Sequence, residues 1–94
     1  MEEWEVGMVA AFDHLIKIED MGDKFQISCS GNISDGTRIV YIDGGKKDSK
    51  ENFREIKLAD GKGDIAKSAL AKGRLIIKLY NNNMLQDEMI LNIN

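Results

Sequence analysis

Phe25-Gln26-Ile27-Ser28-Cys29-Ser30 alternates strictly between apolar and polar side chains, so Phe25, Ile27 and Cys29 share one face of an extended segment and Gln26, Ser28 and Ser30 the other. That period belongs to a half-buried β-strand. The same punctuation recurs on both sides of it. Upstream, Leu15-Ile16-Lys17-Ile18 forms a first apolar run, closed by Glu19-Asp20-Met21-Gly22-Asp23. Downstream, Gly31-Asn32-Ile33-Ser34-Asp35-Gly36 supplies turn chemistry, because glycine accepts positive φ and Asn or Asp bonds its own backbone.

A third strand is predicted over residues 37–43. Its centre, Ile39-Val40-Tyr41-Ile42, is apolar on both faces, which predicts a central position covered on two sides, ended by Gly44-Gly45. A polar loop through Asn52 leads to Phe53-Arg54-Glu55-Ile56-Lys57-Leu58, where Ile56 and Leu58 point one way. Asp60-Gly61-Lys62-Gly63 reads as a turn, and Asp64 as the cap of a short helix over residues 65–72 that Gly73 ends. Residues 74–80 and 85–93 read as a hairpin closed by Asn81-Asn82-Asn83, with Met89, Leu91 and Ile93 as the inward stripe of the last strand. The expected fold is mostly β: one small antiparallel sandwich of about six to seven strands, with one helical turn near residues 65–72.

Composition agrees with a single domain over residues 1–94. The chain is 43% apolar and 31% charged, ordinary values for a globular protein with one core. Residues 1–13 are an extra strand or an N-terminal arm, because Trp4, Val6, Met8, Val9, Ala10 and Phe12 follow neither period strictly. Trp4 is accordingly either a lid on the core or a docking residue for a partner.

Several function classes are disfavoured. No stretch reaches the roughly 20 apolar residues of a membrane span, and Met1-Glu2-Glu3-Trp4-Glu5 is acidic where a secretory leader is basic. The expected place of synthesis is the cytoplasm, without membrane attachment. That setting leaves the sequon Asn32-Ile33-Ser34 without meaning, and the single cysteine, Cys29, suits a reducing compartment. A pI near 5.1 argues against nucleic acid as a partner. Charge is polarised along the chain: residues 1–45 carry three basic and nine acidic side chains, net −6, and the remainder ten and seven, net +3. The run Lys46-Lys47-Asp48-Ser49-Lys50 is read as a solvated loop.

Catalytic equipment is sparse. Cys29 as a nucleophile would need His14, the sole histidine, as its base, yet Cys29 lies in the apolar register of its strand. Zinc ligands are missing at the usual spacings. Asp60-Gly61-Lys62-Gly63-Asp64 begins like a calcium loop but has Lys62 at the third position and Ile65 at the sixth, with no glutamate at the twelfth. Gly61, Gly63 and Gly73 fit no phosphate-binding pattern. The acid pairs Glu19-Asp20 and Asp87-Glu88 are read as solvated surface. No enzyme activity and no cofactor is expected. Trp4, Tyr41 and Tyr80 could line a sugar platform, with Tyr41 assigned to the core and Tyr80 left between core and ligand.

Gly63-Asp64-Ile65, Leu70-Ala71-Lys72-Gly73 and Leu75-Ile76-Ile77-Lys78-Leu79-Tyr80 make residues 53–94 resemble small sandwich domains of tail and baseplate proteins from phages of Gram-positive bacteria. There a strand, a short helical turn, a glycine and a final hairpin follow one another. Immunoglobulin-like and fibronectin-like modules share the pattern, residues 1–14 have no counterpart, and no functional residue carries over. The resemblance implies an immunoglobulin-like sandwich serving as a structural or assembly component of a phage or prophage particle, working through a protein partner or further copies of itself. The alternative is a ligand-binding module for carbohydrate. Trp4 and Tyr80 are the candidate contact residues for either.

Overall fold

The structure, a computed structural model, describes residues 14–30 and 33–94. Among these residues seven strands form two antiparallel sheets: β1 (Ile16–Asp20), β2 (Lys24–Cys29), β3 (Thr37–Ile42), β4 (Arg54–Ile56), β5 (Lys62–Ala66), β6 (Gly73–Asn81) and β7 (Met84–Ile93). One sheet has the order β1-β2-β5 and the other β4-β3-β6-β7. This is the Greek-key order of an immunoglobulin constant domain with one change: the fourth strand lies beside the third instead of beside the fifth. The expected sandwich is therefore present, and residues 1–13, with the reading of them as strand, arm or lid, lie outside the described residues.

The alternation that defines β2 builds the core. Ile27 is fully buried, and Phe25 and Cys29 pack beside it against Ile39 and Tyr41 of β3, Ile56 of β4, and Leu75, Ile77 and Leu79 of β6. Met89, Leu91 and Ile93 close the core from β7, as their stripe predicts. β3 is central, between β4 and β6, and its outward residues Val40 and Ile42 are buried as well. The final hairpin turns on Asn82 and Asn83, whose φ angles of 52° and 67° are left-handed, the geometry of a two-residue turn that follows strand twist.

The expected helix over residues 65–72 is a correction. Residues 62–66 form strand β5, paired with β2, and only Lys67–Ala69 make a 3₁₀ turn. Two helical turns would have to persist on local bonds alone. The strand instead buries Ile65 in the core, pairs the open edge of β2, and leaves Asp64 to an ion pair with Lys24 at 3.1 Å instead of a cap. Gly63 is required there, since a β-carbon would collide with Ile56 and the Lys57 carbonyl. Gly73, expected to end the helix, opens β6 at φ 117° against the backbone of Gly44 and Gly45. Smaller shifts occur elsewhere: β1 runs on through Glu19 and Asp20, and the strand expected over residues 53–58 is confined to Arg54–Ile56.

Candidate functional site

The outer face of the four-stranded sheet carries the most developed surface feature. Residues 43–53 cross it as a loop fixed at several points: Gly45 N–H donates to the Arg74 carbonyl at 3.0 Å, and Lys78 reaches Asp48 at 2.8 Å and Glu88 at 3.3 Å. Burial pulls the Lys78 pKa down, but the hydrogen bonds it donates to Asp48 and Glu88 outweigh it and hold the ammonium above its ordinary value. The ion pair thus remains charged at neutral pH and fastens the loop to β6. The 3₁₀ turn Lys50–Asn52 ends as Phe53 N–H donates to the Lys50 carbonyl at 3.1 Å, which delivers the Phe53 ring to Tyr80. Their ring centroids lie 6.0 Å apart at 45°.

Arg38 stands directly opposite Tyr80 in the β3–β6 ladder, and buried Val40 follows on the same face. Together Arg38, Val40, Lys50, Phe53, Tyr80 and Asn83 line a groove of about 400 Å³, within the size range of small-ligand sites. Its walls present two aromatic rings, two cations and an amide, and no carboxylate. A hollow of about 430 Å³ beside Ile33, Thr37 and Leu58 includes Glu55 and Asp60 and has no aromatic wall.

The second feature is the edge of β7, which has no strand beside it among the described residues. β4, at the other end of the same sheet, is three residues long and carries Arg54 and Glu55, and β1 carries Lys17, Glu19 and Asp20. Short, charged edges resist pairing. β7 is ten residues long, carries Asp87 and Glu88 at its centre but neither lysine nor proline, and leaves Met84, Leu85 and Ile90 68%, 49% and 56% exposed.

Tyr80 sits in the groove, half-buried, so the residue left between core and ligand belongs to the surface feature. Tyr41 is a core residue, with the Arg54 guanidinium 5.4 Å above its ring. The structure therefore does not join Tyr41 to Tyr80, and Trp4 lies outside the described residues. Burial pushes the Cys29 thiol up, away from the thiolate a nucleophile needs. The His14 ring is engaged elsewhere, its Nδ1 lying 2.8 Å from Asp87 Oδ1.

Asp87 corrects the reading of its acid pair as solvated surface. Its carboxylate accepts the backbone N–H of Leu15 at 2.7 Å, of Ile16 at 3.0 Å and of Glu88 at 2.8 Å, so it ties the start of β1 to β7 and joins the two sheets. Burial raises its pKa, but these donors and the His14 ring together hold it below the ordinary value. The other pair stays exposed: Asp20 bonds Lys67 and the Gly22 N–H, and both depress its pKa. Arg38, Lys50, Phe53 and Asn83 escaped sequence reading, although the period of two puts Arg38 and Val40 on one face of β3. Lys50 and Phe53 had no such signal, because a loop fold brings them in.

Among the described residues no three His, Cys, Asp or Glu side chains gather as a metal site, and no helix is long and apolar enough to cross a membrane. Comparison with protein-family models, curated proteins and solved structures finds no match to the chain.

Proposed function

We propose that the chain is a non-catalytic structural module that assembles through contacts between copies, as a component of a phage or prophage tail or baseplate. The observation that carries this reading is the β7 edge: ten residues, unpaired on one side among the described residues, with Met84, Leu85 and Ile90 exposed. A sheet that remains alone normally blunts such an edge, and strand addition is a general route by which edges recruit protein. The particle assignment follows the resemblance of residues 53–94 to tail and baseplate sandwiches. Sedimentation velocity over a rising concentration series tests it. The wild-type chain is expected to associate, and Leu85→Lys/Ile90→Lys, altered only at exposed positions, to keep its circular dichroism and associate more weakly. A wild-type monomer throughout contradicts the reading.

A second reading, a carbohydrate-binding module, is favoured by the Phe53–Tyr80 groove, since aromatic rings stack on the apolar faces of sugars. Titration with neutral and acidic oligosaccharides, followed by the amide resonances of Arg38, Lys50 and Tyr80, decides it; unmoved resonances at millimolar sugar exclude it.

A further inference from the structure

The groove on the outer face combines features that specify an occupant. Phe53 and Tyr80 offer aromatic surface above the buried floor of Val40, and Arg38 and Lys50 stand at its margins. Among the described residues neither cation is paired with a carboxylate, because Lys78 holds the nearby Asp48 and Glu88. The site is preorganised, since the loop that carries Lys50 and Phe53 is fastened by that ion pair and by the Asn52 amide donating to the Lys47 carbonyl at 2.8 Å. Its complement is an anionic segment bearing an aromatic ring.

The sequence contains such a segment. Trp4, the single tryptophan of the chain, stands between Glu3 and Glu5 with Glu2 beside them, and residues 1–13 hold four acids and no base. His14 is held by Asp87, which lies opposite the core residue Leu79 and so on the face of the sheet turned away from Arg38 and Tyr80. Docking within one chain would have to round the edge of the sheet, a constraint that the segment of a second copy does not meet. We propose that the groove of one copy receives the Glu2-Glu3-Trp4-Glu5 segment of a second copy, the Trp4 ring against Phe53 and Tyr80 and the carboxylates against Arg38 and Lys50. Donor and acceptor are different surfaces, so the contact is head-to-tail and propagates from copy to copy. This inference rests on the reading of the chain as a module that assembles with itself.

Trp4 is its own reporter. Three full-length proteins suffice: wild type, Trp4→Ala, which keeps the groove, and Arg38→Glu/Lys50→Glu, which keeps Trp4 and the Phe53–Tyr80 rings. Tryptophan emission of the wild type is expected to shift to the blue as concentration rises and to return as salt screens the charges. The double variant alone emits as solvated tryptophan, its association weakened at least about tenfold by like-charge repulsion. Added Trp4→Ala protein is expected to restore the blue shift of the double variant, because it supplies the intact groove that the double variant's own Trp4 segment lacks, and emission that stays solvated on mixing overturns the inference. Tyr80→Ala, in which both cations remain, weakens the wild-type shift. Emission that is blue at every concentration, or solvated at every concentration, overturns the inference, as does a double variant that behaves like wild type. If sedimentation shows association while Trp4 emission stays constant, the inference falls and the assembling module stands; if the wild type is a monomer throughout, both fall.

Discussion

Replacing Asp87 with alanine removes the acceptor for four donors at once: the N–H groups of Leu15, Ile16 and Glu88 and the His14 ring. Leu15 is exposed and its amide finds water, but Ile16 is 2% exposed, so its N–H is stranded in a dry environment. A hydrogen bond to a charged group contributes about 1.5–3 kcal/mol, and a stranded donor costs about 1–3 kcal/mol. Asp87→Ala is therefore expected to lower stability by about 3 kcal/mol, which for a chain of 94 residues corresponds to a Tm lower by roughly 12–24 °C. Asp87→Asn keeps a neutral acceptor and loses about half as much. The assay is urea unfolding at several pH values. Because the folded-state pKa of Asp87 is depressed, its contribution is fully present above the ordinary value of 3.8 and is lost as pH falls through the lower, folded-state value. The gap between wild type and Asp87→Ala should hold constant from neutral pH down to the unfolded-state value and narrow below it. A cost under about 0.5 kcal/mol at pH 7, or a gap unchanged in acid, would refute the reasoning.

Three further outcomes are expected. Ile27→Ala opens a cavity at a fully buried position and should lower unfolding free energy by about 2–5 kcal/mol in urea titration with an unchanged m-value. Gly63→Ala forces a methyl group into Ile56 and the Lys57 carbonyl and should cost about 1–3 kcal/mol, read as a lower midpoint, with loss of amide protection concentrated in β5. Cys29, half-buried with its pKa raised by burial, should react with a thiol reagent more slowly in the native protein than in urea at the same pH; equal rates would place it at an open site.

How much of this was legible in the sequence depends on the range of the forces involved. Phe25, Ile27 and Cys29 announced β2 because alternation is local, and Asn82 and Asn83 announced the last turn because left-handed backbone favours asparagine. β5 was hidden because Asp64-Ile65-Ala66-Lys67 has good helical chemistry, and only the unpaired edge of β2, some forty residues earlier, converts it to a strand. The role of Asp87 was invisible for the same reason: its partners His14, Leu15 and Ile16 lie at the other end of the chain. In the groove, Tyr80 could be nominated as an aromatic residue near a strand end. Lys50 and Phe53 could not, since the Asp48–Lys78 ion pair that folds their loop over the sheet leaves no periodic trace.

Amide hydrogen exchange of the wild-type chain at low and high concentration tests the central claim, assembly through the edge of β7, most directly. The account expects the outward-facing amides of Met84–Ile93 to gain protection as concentration rises while those of the short edge Arg54–Ile56 do not. Protection in β7 that is independent of concentration would contradict it.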